Sequence, residues 1–120
     1  MTRSLVVKAT AGSDDPERCA QAFTVAAAAA VSGVDISLWL TGEASWLAVP
    51  GRAEEFRLPH SAPLPELIAE VLAAGSVTLC QQCAARRALA EEDLLPGITI
   101  AGATTFVAAI TKPEVQALVY

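Results

Sequence analysis

The sequence has few charged and few aromatic residues. Of its 120 residues, 18% are charged and 5% are aromatic, whereas 53% are hydrophobic. Disordered chains combine high charge with few hydrophobic residues, so this composition excludes disorder. The net charge of −5 argues against nucleic acid as a partner, because surfaces that bind nucleic acid are basic. The length fits one domain, which we assign to residues 1–120, since domains usually have about 100–150 residues.

Long hydrophobic runs and targeting signals are also missing. The uncharged stretches 19–34 and 94–111 are interrupted by polar residues, glycine or proline. A membrane-spanning helix needs about 20 mostly apolar residues, so neither stretch qualifies. The apolar run Leu5-Val6-Val7 is too short for the core of a signal peptide. We therefore expect a cytoplasmic protein without a membrane partner.

Cysteine and histidine are scarce, with three cysteines and one histidine. In a chain that is not secreted, this number of cysteines indicates thiol or metal chemistry and not a disulfide framework. A structural zinc site needs a full tetrahedral set of ligands, and Cys19 and His60 do not show ligand spacing. The sequence also has no P-loop and no GxGxxG motif. We therefore expect neither a metal nor a cofactor.

Strand and helix signals alternate along the chain. The predicted strands cover residues 5–9, 34–40, 76–80, 98–101 and 114–120. The predicted helices cover residues 16–32, 65–74, 81–89 and 104–110, with a helical turn at 43–49 and an irregular segment at 52–63. Short, continuous apolar strands between helices are typical of parallel sheets buried on both faces. The pattern predicts an α/β fold, a three-layer α/β/α domain with a mostly parallel five-stranded sheet.

Alanine is abundant, with 25 copies, and many of them lie in the predicted helices. Small side chains form a smooth helix face, which lets a sheet or a second subunit approach closely. Together with the shortage of charge, this favours a homo-oligomer. We predict that the first helix, the second helix or the helix with Cys83 packs against another subunit.

Cys80 is the most informative residue, because it ends the third predicted strand and begins a helix. In parallel α/β sheets, ligands bind beyond the carboxyl ends of the strands. Backbone N–H groups at the start of a helix lower a cysteine pKa from about 8.5 to roughly 3.5–7.5, which raises the thiolate fraction. Cys83 follows one helical turn later, so that the two residues form a CxxC pair. We assign Cys80 and Cys83 as the candidate catalytic residues.

Three interpretations of this pair remain open: thiol chemistry, metal binding, and simple burial of small hydrophobic side chains. Thiol chemistry means either persulfide carriage or dithiol–disulfide exchange. Burial explains Cys83 almost as well as a functional role does. For Cys19 we expect a place in the core, with a resolving thiol as the alternative.

Three further residues have both a structural and a functional interpretation. His60 lies between prolines and is expected to be a loop histidine, although a mobile loop would bring it to Cys80 as a base. Trp39 shares a strand face with Ser37 and is predicted to lie under a helix or a neighbouring subunit. For Trp46 we expect packing in the core or an interface, or a cover over the site.

Several segments of the chain, taken together, resemble one family of proteins. The resemblance rests on a first strand followed by a loop and the alanine-rich helix 16–32, and on a second strand that follows a glycine directly. It also rests on a third strand that ends in a cysteine, and on the residues before the fourth strand. These segments are residues 33–41 (GVDISLWLT), Cys80 and residues 93–102 (DLLPGITIAG). With them, the chain resembles the DsrE/DsrF-like family of small sulfur-relay proteins.

The resemblance implies a three-layer α/β/α domain that assembles into homo- or hetero-oligomers, often trimers or hexamers. It also implies that Cys80 carries sulfur as a persulfide between a sulfur donor protein and an acceptor protein. Cys83 departs from the single-cysteine pattern of the family. A second thiol beside Cys80 would release the persulfide sulfur and form a disulfide. The function predicted from sequence is thus a sulfur carrier or sulfurtransferase. The alternatives are a CxxC redox protein and a non-catalytic oligomeric module that binds a ligand or a protein.

Overall fold

The structure is a computed structural model that describes residues 3–120. Strands and helices alternate along it. The strands are β1 Ser4–Ala9, β2 Asp35–Leu40, β3 Ser76–Cys80, β4 Thr99–Ala101 and β5 Val115–Val119. The α-helices are α1 Pro16–Val31, α2 Arg52–Glu55, α3 Leu64–Ala74, α4 Gln81–Arg86 and α5 Ala103–Ile110. Two 3₁₀-helices lie at Gly42–Ala48 and Glu91–Asp93.

The sheet has five strands in the order β4-β3-β2-β1-β5, and every pair of neighbours is parallel. From β1 the chain adds β2, β3 and β4 on one side, and then returns to place β5 on the other side of β1. The predicted α/β fold is confirmed, and the sheet is wholly parallel. The carboxyl ends of all five strands therefore lie along one edge, which is where such sheets bind ligands.

One face of the sheet is covered by α1 and α3. Alternate strand residues point into this layer and form the hydrophobic core with Phe23 of α1. Apart from Cys19 and Phe23, the buried residues of α1 are alanines, namely Ala20, Ala22, Ala26, Ala27, Ala29 and Ala30. These small side chains allow α1 to lie close to the sheet and α3. The alanine face of α1 therefore allows close approach of the sheet within the same chain, which is the first of the two roles expected for it.

The other face of the sheet is covered by the shorter helix α5. Phe106 of α5 meets Trp39 of β2 edge to face, with ring centroids 5.2 Å apart and planes at 80°. Trp39 is buried by this contact, so a helix provides the cover expected for it. None of the α5 residues is itself fully buried, and Val107 is exposed. The strand residues on this face are consequently less covered than those on the α1 side.

The structure differs from the sequence prediction mainly at segment ends. The segment predicted to be irregular contains α2. This helix begins after Gly51, whose backbone is in the left-handed conformation with φ +88°. Helix α4 ends at Arg86, three residues earlier than predicted, because the chain turns through Ala88 with φ +54°. None of the helices within residues 3–120 is both long and apolar enough to cross a membrane.

Candidate functional site

Cys80 lies where the sequence predicts it, at the carboxyl end of β3 and directly before α4. It pairs in register with Ala101 of β4 and has an extended backbone conformation. Its side chain is partly exposed, unlike those of Cys19 and Cys83, and all three cysteines are free thiols. Cys80 is therefore the cysteine that a reagent reaches most easily.

The surroundings of Cys80 favour its thiolate. Partial burial raises the pKa of the Cys80 thiol, because a charged sulfur loses contact with water. The backbone N–H and the thiol of Cys83, the backbone N–H of Gln82 and the charge of Lys8 lower the pKa and outweigh burial. The pKa of Cys80 is therefore below its ordinary value of 9.0. Since the thiolate is the nucleophile, this arrangement activates Cys80.

Cys83 is placed differently, in the first turn of α4 and 7% exposed. The backbone N–H of Gly42 donates a hydrogen bond to its sulfur, with a nitrogen–sulfur distance of 3.3 Å. Gly42 has φ +54°, and a Cβ atom there would overlap with the carbonyl oxygen of Thr10. The close contact between the 3₁₀-helix and the Cys83 sulfur therefore requires glycine at this position. Cys83 is buried beside the reactive thiol and is fixed in orientation.

Arg87 ties α4 to the 3₁₀-helix Gly42–Ala48. One guanidinium nitrogen lies 2.8 Å from a carboxylate oxygen of Glu43, and another donates to the carbonyl oxygen of Cys83 at 3.2 Å. Arg87 thus holds the first turn of α4 against the segment that contacts the Cys83 sulfur. It acts on the site by positioning these two segments.

A cleft of about 210 Å³ opens beside Cys80. Residues from five segments line it: the ends of β1, β2 and β3, the start of α4, and the start of α5. They are Lys8, Trp39, Thr41, Cys80, Gln81, Gln82, Gly102, Ala103 and Phe106. The cleft is therefore at the carboxyl edge of the sheet and on its α5 face. Its walls are mainly aromatic and amide side chains, with one cation.

That cation, Lys8, is a site residue that the sequence analysis missed. Its ammonium nitrogen lies 4.8 Å from the centre of the Phe106 ring. The available signal was the strand pattern, because Lys8 is the one charged residue in β1 and alternates with the buried Val7 and Ala9. A lysine inside an otherwise apolar strand must face the less covered side of the sheet. The strand pattern does not predict that Phe106 lies at the site, since the position of its ring depends on how α5 packs against the sheet.

Cys19 and His60 lie outside this cleft. Cys19 is buried in the core, and burial, followed by the charges of Asp14 and Asp15, raises its pKa to about 12. It therefore stays protonated at neutral pH, and the core interpretation is the one that its surroundings support. The exposed His60 lines a separate cavity of about 600 Å³ with residues of α1 and Tyr120. The arrangement does not bring a histidine to Cys80.

Trp46 lies in the 3₁₀-helix, near the cleft but not in its lining. The guanidinium of Arg52 lies 4.5 Å from the centre of its ring, and that of Arg87 lies 5.9 Å away. Trp46 therefore packs between two arginines, and its ring supports Arg87, which positions α4.

Comparison with known proteins gives the same fold. An uncharacterised protein of Methanocaldococcus jannaschii, MJ0760, is 28% identical over 108 residues, or 89% of this chain. The chain spans only 39% of the length of that relative. The crystal structure of the ychN protein from E. coli superposes with a TM-score of 0.81 and 16% identity, over 99% of this chain and 100% of that one.

A second structure is similar at lower identity. The protein of unknown function MTH1491 from Methanobacterium thermoautotrophicum has a TM-score of 0.72 and 10% identity, with all of both chains covered. At these identities the two structures show a common fold. The sequence profile of the DsrE/DsrF-like family matches residues 3–115. The chain therefore belongs to the DsrE/DsrF-like family.

Proposed function

We propose that this protein is a sulfur carrier in which Cys80 holds a transferable sulfur atom as a persulfide. The observation that carries the proposal is the state of Cys80, which is partly exposed in a cleft and has a lowered pKa. Neither of the other cysteines combines these properties. The sulfur-relay-like fold of the DsrE/DsrF-like family is consistent with this role.

The transfer is a nucleophilic displacement by the Cys80 thiolate. The Cys80 thiolate attacks the outer sulfur of a donor persulfide, R–S–SH. A bond forms between Cys80 and that sulfur, the donor S–S bond breaks, and the donor leaves as the thiolate R–S⁻. In the second half, an acceptor thiolate attacks the outer sulfur of Cys80–S–SH and returns Cys80 as a thiolate. Because neither half is a net oxidation, no cofactor is required.

A second candidate function, dithiol–disulfide exchange, follows from the position of Cys83. Cys83 lies one helical turn after Cys80, and its thiol is among the groups that lower the pKa of Cys80, so the two side chains are neighbours. If the Cys83 thiolate attacks the inner sulfur of the Cys80 persulfide, HS⁻ leaves and a Cys80–Cys83 disulfide forms. An external dithiol must then reduce that disulfide. The carrier is favoured over this candidate because Cys83 is buried and its sulfur is already held by the Gly42 N–H.

The test is a two-step transfer with purified protein. The protein is incubated with the persulfide of a small thiol, separated from it, and mixed with a fresh acceptor thiol. We expect one sulfur atom per chain to move to the acceptor, no transfer in Cys80→Ser, and retained transfer in Cys19→Ser. If Cys80→Ser transfers sulfur as well as the unchanged protein, the carrier function is wrong.

The variant Cys83→Ser separates the two candidates. A carrier that uses Cys80 alone holds its sulfur and passes it to the acceptor in this variant as the unchanged protein does. A dithiol protein loses its disulfide, and free HS⁻ no longer appears. If all cysteine variants retain the biological function of the protein in cells, a non-catalytic binding module becomes the better interpretation.

We also propose that the chain self-associates through the α5 face of the sheet. Val107 of α5 and Val119 of the edge strand β5 are among the few large apolar side chains that are exposed. Val119 pairs in register with Lys8, so both lie on the α5 side of the sheet. Exposed apolar side chains beside an unpaired strand edge are the features that another chain covers. The proposed subunit contact is therefore at α5 and β5, whereas the contact predicted for the first helix, the second helix or the helix with Cys83 stays a prediction.

A further inference from the structure

The proposed function leaves open how a thiolate meets a sulfur compound that is itself negatively charged. Persulfides and polysulfides carry negative charge on their outer sulfur, and like charges repel at close range. A site that brings such a compound to the Cys80 thiolate therefore needs a cation near the reacting atoms.

Lys8 is placed to supply this cation. It lines the same cleft as Cys80, and its charge is one of the influences that favour the Cys80 thiolate. Within residues 3–120 the ion pairs are those of Arg18 with Asp15 and Arg87 with Glu43, and no carboxylate is paired with Lys8. The Phe106 ring orients the ammonium at 4.8 Å but does not neutralise its charge.

The cleft also limits what can enter. Its volume of about 210 Å³ is small, since pockets for drug-sized ligands have roughly 300–1,000 Å³. Two walls are fixed, because Trp39 is buried and packs edge to face against Phe106. The cleft therefore has room for a few atoms of a ligand next to the Cys80 sulfur.

We propose that Lys8 and the Trp39–Phe106 walls form an anion-binding cleft, which holds the negatively charged end of a sulfur compound against Cys80. This inference rests on the proposed function, and it adds a substrate class, namely anionic sulfur compounds of small cross-section. During the attack, negative charge moves from the Cys80 sulfur to the leaving sulfur. An ammonium in the cleft stabilises that charge throughout the transfer.

Alkylation tests the cleft without any sulfur transfer. Iodoacetate and iodoacetamide are similar in size and react with the same thiolate, but only iodoacetate is negatively charged. The ratio of their rates at Cys80 is therefore independent of the thiolate fraction and measures the preference for an anion. The rates are followed by mass spectrometry with fragmentation of the peptide, so that Cys80 is distinguished from Cys83.

The matched variants change the charge of one lysine at a time. We expect Lys8→Met to lower the iodoacetate-to-iodoacetamide ratio roughly fivefold, and Lys8→Arg to restore most of it. Lys112→Met is the control, because Lys112 lines a cavity with Ser4 and Asp35, far from the cleft lining. In the unchanged protein, added salt should lower the ratio, since it screens the attraction.

Several results would overturn the inference. An unchanged ratio in Lys8→Met, an equal fall in Lys112→Met, or no alkylation of Cys80 by either reagent each rejects an anion-binding cleft. With inorganic polysulfide as the sulfur donor, Lys8→Met should also slow persulfide formation, whereas Lys112→Met should not. Persulfide formation with an unchanged alkylation ratio rejects the cleft and keeps the carrier function. A changed ratio without persulfide formation rejects the carrier and keeps the cleft.

Discussion

The two faces of the sheet are built from the same strands but are packed in different ways. On the α1 face, alternate strand residues meet two helices and form the hydrophobic core. On the α5 face, the neighbouring residues meet one short helix, and Lys8 and Cys80 remain partly exposed. Side chains alternate along a strand, so neighbouring residues face opposite sides of this five-stranded sheet. The residues on one side can therefore stabilise the fold while those on the other side form the reactive site. The comparison predicts that core changes affect folding, whereas changes on the α5 face affect reactivity and association.

The largest expected contrast is in stability, between one phenylalanine on each face of the sheet. Phe23 is fully buried on the α1 face, and Phe106 is partly exposed on the α5 face. We expect Phe23→Ala to lower the free energy of unfolding by about 3–5 kcal/mol, because it leaves a cavity in the core. Phe106→Ala should cost only about 1 kcal/mol. Urea denaturation followed by circular dichroism measures both values, and equal losses would show that the α5 face is as thoroughly packed as the core.

The cysteines provide the second contrast, in reactivity with a thiol reagent. At pH 7 Cys80 should react more than about a hundredfold faster than Cys19, whose pKa is raised to about 12 and whose side chain is buried. The rate at Cys80 rises with pH as the thiolate forms. Because its pKa is lowered, that rise should level off below the pH expected for an ordinary thiol with a pKa of 9.0. A Cys80 rate that keeps rising beyond pH 9.0 would contradict the activation of this thiol.

Two exposed valines sharpen the comparison for association. Val119 is 64% exposed on the α5 face, and Val31 is 70% exposed at the end of α1. We expect Val119→Asp to weaken self-association by at least about tenfold, because it places a charge in the subunit contact. Val31→Asp makes the same change of charge and should leave association intact. Sedimentation velocity at micromolar concentration distinguishes them, and a protein that is monomeric before any change would reject the proposed contact.

The smallest expected effect concerns two ion pairs. Arg87 is 17% exposed and pairs with Glu43 near the site, whereas Arg18 is 58% exposed and pairs with Asp15 at the start of α1. We expect Arg87→Met to cost about 1 kcal/mol of stability and to change the Cys83 alkylation rate, because α4 loses its link to the 3₁₀-helix. Arg18→Met should cost less than about 0.5 kcal/mol. Similar costs in both variants would show that Arg87 does not position α4.

Much of the fold was predictable from the sequence because its signals are local. Short apolar strands between helical segments predicted the element order and the parallel sheet. The start of α1 is also fixed locally, because the side chain of Asp15 accepts a hydrogen bond from the backbone N–H of Arg18. Segment ends were less accurate, since they depend on backbone conformations such as those of Ala88 and Glu114, which have positive φ. Neither residue type signals such a conformation by itself.

The candidate site was only partly predictable. The position of Cys80 followed from the strand and helix around it, and Cys83 followed from its spacing. The contacts of Lys8 with Phe106 and of Gly42 with Cys83 were not predictable, because they join segments far apart in the sequence. The place of His60 was not predictable either, since it lies with α1 at another cavity in this structure. Local patterns located the nucleophile, and tertiary packing determined its neighbours.

Sulfur carriage by Cys80 is tested best by locating the transferred sulfur atom in the protein. The unchanged protein is treated with the persulfide of a small thiol, and remaining thiols are blocked under conditions that preserve persulfides. Mass spectrometry with fragmentation then assigns the added sulfur to individual cysteines. We expect the mass of one additional sulfur atom on Cys80, with Cys19 and Cys83 unmodified. Sulfur found on Cys83 or Cys19 while Cys80 stays a free thiol would contradict it.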